Sequence, residues 1–424
     1  MGRSPHRTHA IVTRCEDSAA VRLGDMSAPG SSSPTPADAD HEPTAASSAP
    51  RARCWTWWPK VVAVGAGLLV GFLLSELLVL TIAGEQPKFP RHVVRAPWGL
   101  RYNDPGSSYR HKSADMTTYF SINREGMRSD RDFTYEKTPG VIRIVSLGDS
   151  FTIGFEVDLE QCFSSVLERE LRDAGLNVEV LNAGVSGYSN AEELLYLERE
   201  LIKYAPDLVL LSFYGNDVEE NMRTNLFRVE EGQLVARNAE YVPGGSLADY
   251  LNTNGFFNLL SERSNAFALV RERLTDTVKR DAIEDLNARV HLADETQGGT
   301  AQRGNDPGVD LTAAIFERLY AFLRQRNIPL VIQSIPVPAQ ALQSGATHGP
   351  GKLVDLFPLD RFDVHRPGLY FVSAKEFLQA SSDTHLLYWT RSHMHWTPFS
   401  HAASGRRLAE LILREQLLEI PMRR

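Results

Sequence analysis

The chain has 424 residues, 45 Lys and Arg against 53 Asp and Glu, a formal net charge of −8 and 42% hydrophobic residues. That material suffices for one large domain or two ordinary ones, and the averages exclude full disorder, collagen-like repetition and a polytopic membrane protein. The acidic balance argues against nucleic acid as a partner, and three cysteines, Cys15, Cys54 and Cys162, cannot form the disulfide framework of a small secreted scaffold.

Residues 1–54 are rich in Ser, Pro and Ala with almost no apolar periodicity, which predicts a disordered tail. From Val61 to Ala83 the chain runs 23 residues without Lys or Arg and with one acid, Glu76. That length crosses a hydrocarbon core of about 30 Å. Trp55, Trp57, Trp58 and Lys60 in front of it read as an interfacial belt, so residues 55–84 are expected to form a retained membrane anchor. A cleavable signal peptide has a shorter apolar region, about 7–15 residues. Glu76 is costly in lipid unless protonated, paired or shifted toward an interface. Basic residues tie across the span, with Arg51, Arg53 and Lys60 before it and Lys88, Arg91 and Arg95 after it. Charge therefore does not orient it.

A lead-in, residues 85–140, precedes a domain expected over residues 141–420. Val141–Leu147 reads as a buried strand, Cys162–Leu171 as a helix, Val178–Asn182 as a second strand and Glu192–Lys203 as a second helix. Leu208–Ser212 is a third strand, followed later by a helix over Leu311–Gln325, a strand over Leu330–Ser334 and a last helix over about 402–418. Strands alternating with helices predict a parallel sheet covered on both faces. An interruption at about 230–307 carries a charged helical stretch, Ser261–Leu286, and a Gly-rich tract. It reads as a lid, a partner surface or a solvated elaboration.

In open α/β sheets, sites lie at the carboxyl ends of strands. Three turns there carry polar chemistry: Gly148-Asp149-Ser150, Asn182-Ala-Gly184 and Gly215-Asn216-Asp217. A fourth cluster, His393-Met-His395-Trp396-Thr-Pro398, stands before the last helix. Each fragment alone is a common turn composition. Their order and placement together set them apart: each turn falls at a predicted strand's carboxyl end, and the histidines stand directly before the last helix. His401 is expected to pack or cap at the start of the last helix, and Asp149 to bond backbone N–H groups in its turn. The spacing of His393, His395 and His401 does not suit a metal, and neither metal nor cofactor is expected.

This combination resembles the SGNH (GDSL) hydrolase superfamily over about residues 141–231 and 311–418. The lead-in Phe120-Ser-Ile-Asn-Arg-Glu-Gly-Met-Arg128 resembles that of membrane-tethered bacterial members. The resemblance implies a three-layer α/β/α sandwich of the SGNH/flavodoxin-like kind with a mainly parallel sheet, preceded by one transmembrane helix. It assigns Ser150 as nucleophile, His395 as base, and Gly184 and Asn216 as oxyanion donors, with Asp149 and Asp217 as charged neighbours. It also implies a single-pass location in the cytoplasmic membrane with the domain outside. The Gly-x-Ser-x-Gly elbow of α/β-hydrolases is absent.

One position departs from the family pattern. Members carry Asp two or three residues before the base, where this chain has His393 and Ser392. Asp383 is the nearest upstream acid, and it serves only if a loop folds back. The expected function is a membrane-anchored serine esterase acting on an O-acyl ester, an acetylated glycan or a small ester, through an acyl-enzyme. A polysaccharide O-acyltransferase uses the same intermediate, and the missing Asp admits a catalytically impaired binding protein. The expected partners are that acyl-ester substrate and, through residues 61–83, the membrane.

Overall fold

The computed structural model describes residues 57–88, 93–241, 254–271, 273, 306–338, 352–392 and 394–418. The predicted tail over residues 1–54, most of the charged helical stretch, most of the Gly-rich tract, and His393 lie outside the described residues.

The first element is α1 (Trp58–Ala83), 26 residues with none buried, long and apolar enough to cross a membrane. Two short antiparallel pairs follow, β1 (Val93–Arg95) with β2 (Arg101–Asn103) and β3 (Ser108–Lys112) with β4 (Thr117–Ser121). The lead-in is therefore structured, a finding that its weak periodicity did not announce. Next come β5 (Ile142–Leu147), α2 (Ser150–Ile153), α3 (Phe163–Asp173), β6 (Val178–Asn182), α4 (Asn190–Arg199), β7 (Leu208–Tyr214) and α5 (Asp217–Thr224). A hairpin of β8 (Phe227–Glu230) and β9 (Gln233–Ala236) leads to α6 (Gly255–Arg263). The chain closes with α7 (Pro307–Arg324), β10 (Leu330–Ile335), the pair β11 (Val337–Pro338) and β12 (Leu353–Val354), β13 (Leu369–Ser373), α8 (Ala374–Leu378) and α9 (Pro398–Arg414).

Five strands form one sheet in the order β13-β10-β7-β5-β6, and every pairing in it is parallel. β5, β7 and β10 are buried along their whole length, as parallel strands covered on both faces must be. That burial explains why they read as continuous apolar runs. The fifth strand, β13, was not foreseen. α3 packs on α9, and α4 and α5 pack on α7, giving helical layers that flank the sheet. The parallel crossovers step from β5 outward to β6 and then back past β5 to β7. That reversal is a topological switch point, and it opens a crevice above the carboxyl ends of β5 and β7.

Glu76 of α1 meets the part of the interruption that is described. Its carboxylate accepts from the Ser264 hydroxyl, from Asn265 N at 2.8 Å and from Ala266 N at 3.1 Å. These donors open the helical stretch 265–271, where a negative charge is favoured. Just beyond α1, Glu85 is held by Arg110 at 2.5 Å and Lys112 at 2.6 Å, both on β3.

Candidate active site

Ser150 is the first residue of α2, at the switch point directly after β5. Asp149 caps this short helix, accepting from Phe151 N at 2.9 Å, and its other oxygen lies 3.4 Å from Ser150 Oγ. Burial pushes the Asp149 carboxyl up, against the opposing pull of the Phe151 N–H and the nearby His395. Ser150 is half-buried, so its hydroxyl faces the crevice.

His395 reaches that hydroxyl from the far end of the chain. Its Nε2 stands 2.9 Å from Ser150 Oγ, within hydrogen-bonding distance. The imidazole comes from a narrow hairpin in which Tyr388 bridges Trp396, Trp389 N donates to His395 O at 2.9 Å, and Thr397 N donates to Leu387 O at 3.0 Å. Side chains alternate across such a segment. Trp396 therefore points into the core, fully buried against Phe151 and Phe163, while His395 points to the crevice between the rings of Phe151 and Phe155.

The carboxylate facing His395 belongs to Glu156, not to Asp383. Glu156 Oε2 lies 3.4 Å from His395 Nδ1, and the side chain has no exposed surface. Burial alone raises a carboxyl. Here the neighbouring His395 imidazole, with the hydroxyls of Ser392 and Ser113, outweighs it and holds Glu156 down at about 2. Asp383, which could serve only if a loop folded back, is exposed. Sequence reasoning missed Glu156 by looking beside the histidine. A signal was present: one acid in the apolar run Phe151-Thr-Ile-Gly-Phe-Glu-Val157 must find a partner or stay at the surface.

The second block holds a correction. Gly184 N donates to Asn182 Oδ1 at 3.1 Å, so this N–H is engaged rather than aimed into the crevice. Its missing Cβ is explained by packing: a Cβ there would lie 2.3 Å from Ile153 N and 2.8 Å from Thr152 C. The glycine makes room for the backbone of α2, not for a substrate. Asn182 extends the contact, donating to Thr152 O at 2.8 Å. Asn216 follows β7, the neighbour of β5 in the sheet. It is half-exposed, and its Oδ1 is buried without a hydrogen-bond partner, which leaves the NH₂ as the outward end of the amide.

Asp217 lies beneath that turn. It accepts from Tyr214 N and Asn190 Nδ2, each at 3.0 Å, and Asn190 also donates to Glu193 at 2.9 Å. Burial pushes the carboxyls of both Asp217 and Glu193 up, and their shared partner Asn190 ties the turn after β7 to α4. His401 is wholly buried and its Nδ1 accepts from Phe163 N at 3.2 Å, capping α3. Its role is structural.

A family model described as GDSL-like Lipase/Acylhydrolase matches residues 146–403. The chain belongs to that family. Within it, residues of this GDSL-family chain are 33% identical over 75 positions to "Arylesterase" of Vibrio mimicus, covering 18% of this chain and 38% of the relative. They are 32% identical over 74 positions to "Esterase TesA" of Pseudomonas aeruginosa, covering 18% and 37%. The chain thus matches less than two fifths of the length of these curated relatives. Among solved structures, it is similar to a family 3 carbohydrate esterase of Clostridium thermocellum, at 12% identity over 66% of this chain and 100% of that one, TM-score 0.33. It is also similar to a G-D-S-L family lipolytic protein of Desulfitobacterium hafniense, at 10% identity over 63% and 98%, TM-score 0.33.

Proposed function

We propose that this GDSL-family chain is a serine esterase that cleaves an O-acyl ester, from a small alcohol or an acetylated glycan, through an acyl-enzyme. The observation that carries the reading is the 2.9 Å contact between Ser150 Oγ and His395 Nε2 at the sheet's switch point. Ser150 Oγ attacks the acyl carbon while its proton passes to His395 Nε2. The negative charge formed on the carbonyl oxygen is met by the Ser150 N–H and the outward amide of Asn216. Losing one such donor typically costs about 2.7–4 kcal/mol of barrier. Collapse breaks the ester C–O bond, and the leaving alcohol takes the proton from Nε2. Water repeats the sequence on the acyl-enzyme, with His395 as its base, and frees the acid.

The reading of a fold retained without catalysis drew its support from the absent Asp, and the buried Glu156 beside His395 weighs against it. Anchoring through α1 is part of the same proposal: 26 residues at a rise of about 1.5 Å each exceed a hydrocarbon core. With the domain outside the cytoplasmic membrane, the substrate would be an extracytoplasmic ester.

The test is labelling of the detergent-solubilised full chain with a fluorophosphonate, alongside hydrolysis of a short-chain acyl ester. Ser150→Ala is expected to abolish both. Hydrolysis undiminished in Ser150→Ala would sink the esterase reading. Acyl transfer to an added oligosaccharide faster than to water would redirect it to a transferase.

A further inference from the structure

The departure from the family pattern at the acid raises the question of what the segment around Glu156 is built to do. Glu156 sits in a left-handed backbone conformation, φ 64°, two residues after Gly154, φ 77°. A non-glycine residue there costs energy and persists only when its surroundings over-determine it. The surroundings do so from three directions. Arg128, buried to 1% exposure, donates Nη1 to Ile153 O at 2.8 Å and to Gly154 O, and Nη2 to Val157 O at 2.7 Å. Thr118 of β4 donates to Val157 O at 3.2 Å and to Asp158 Oδ1 at 2.6 Å. Trp389 Nε1 donates to Glu156 O at 3.1 Å, while its own backbone N–H is the one bonded to His395 O. One tryptophan therefore fastens the histidine strand to the glutamate turn.

Arg128 is itself set by the lead-in motif. Asn123 Oδ1 accepts from Met127 N at 2.8 Å and Glu125 N at 3.1 Å, turning the chain through Gly126, φ 79°. Arg128 N donates to Asn182 O at 3.1 Å, and its guanidinium lies 3.9 Å over the Phe120 ring. A buried guanidinium that serves three backbone carbonyls of one turn is a clamp rather than a surface ion pair.

We propose that Glu156 is the positioning acid for His395, standing in for the absent Asp, and that Arg128 of the lead-in motif fixes the strained turn that presents it. The inference rests on the esterase reading above for its catalytic meaning. Glu156 accepts the Nδ1–H of His395 and so leaves Nε2 unprotonated toward Ser150. It favours the imidazolium formed during attack and stays ionised throughout. His395 is faced by Glu156 from the turn after α2, Asp149 from the start of α2, His111 from β3 and His401 from α9. Burial holds the two other histidines neutral down to about 3 and pushes Asp149 up, while Glu156 is held down at about 2 and stands 3.4 Å from Nδ1.

Glu156→Gln is nearly isosteric, and its amide can donate to Nδ1, which selects the wrong tautomer. In the full chain, kcat is expected to fall by about 10³–10⁴-fold at neutral pH. By nitrogen NMR of the imidazole, His395 should carry its proton on Nδ1 in the wild type and on Nε2 in Glu156→Gln, because a carboxylate 3.4 Å away is replaced by a donor. Glu156→Asp keeps the acceptor and should retain the wild-type tautomer and most of the activity. Arg128→Met should weaken activity while its His395 tautomer population moves part of the way toward that of Glu156→Gln. A His395 tautomer unchanged in Glu156→Gln overturns the proposal, whether or not the wild type hydrolyses esters. Absence of labelling at Ser150 in the wild type counts against the esterase reading alone.

Discussion

Gly184→Ala separates the two roles that a glycine at the second block can have. If the glycine admits a substrate, an added methyl group lowers kcat and leaves the fold untouched. The structure places the methyl 2.3 Å from Ile153 N, 2.8 Å from Thr152 C and 2.9 Å from Ile153 Cα. All three are backbone atoms of the turn after Ser150, and ordinary contact begins near 3.4 Å. α2 or the Gly184 segment must therefore move by about 1 Å, and overpacking of that order costs about 1–3 kcal/mol. For a domain of this size, each kcal/mol lowers Tm by about 2–4 °C, so a fall of about 2–12 °C is expected by scanning calorimetry of the solubilised chain. Activity per folded molecule should fall as well, since α2 begins with Ser150. Gly405→Ala is the control: its methyl would meet Val166 Cβ at 2.6 Å and Phe163 O at 2.7 Å, between α9 and α3. It should destabilise similarly with a smaller effect on kcat. A Gly184→Ala chain that melts with the wild type yet loses activity would refute the packing argument.

Two further outcomes follow from buried charge. His401 is held to about 3 by burial, below its usual value near 6.5, so the folded state stays neutral while the unfolded chain takes up a proton. Its contribution is present above pH 6.5 and lost as pH falls toward 3, at about 1.4 kcal/mol per pH unit. His401→Gln keeps an acceptor for Phe163 N and should flatten the denaturant-measured stability between pH 4 and 6 by that slope; an unchanged slope would count against a neutral buried His401. Glu76→Gln removes the charge from the hydrogen bonds to Asn265 N and Ala266 N. Exchange of those two amides should speed up about tenfold, as for loss of a charge-assisted bond, and unchanged protection would show that the carboxylate does not hold them.

What was legible follows from what is local. β5, β7 and β10 lie in the middle of a covered sheet, so their apolar runs stand out and the turns after β5 and β7 are easy to locate. The same holds for α1, whose 26 residues carry Lys60 and Glu76 as their only charges. Glu156 was illegible because its meaning is tertiary. A left-handed turn, a clamp from Arg128 and a tryptophan from the histidine hairpin are all needed to aim it. The reading of Gly184 failed for a related reason. Glycine marks close approach, but sequence does not say which backbone approaches.

The lead-in between α1 and the sheet then acquires a physical role. Glu85, two residues beyond α1, is gripped by Arg110 and Lys112 on β3. The same hairpin carries His111, stacked on Phe155 at 4.9 Å, and Thr118, bonded to Val157 and Asp158. Phe155 and Val157 flank Glu156, so the strands that receive the end of the apolar helix also wall the turn that faces His395. A flexible tether would leave its enzyme indifferent to where it is cut. Here, removal of residues 85–128 would take away Arg128, Thr118 and Ser113 together, exposing a buried carboxylate whose ionised form depends on its enclosure by His395, Ser392 and Ser113. The sheet and its helices would lose Leu100 and Met127 from their core, and the alignment of Glu156, His395 and Ser150 would lose its outer support.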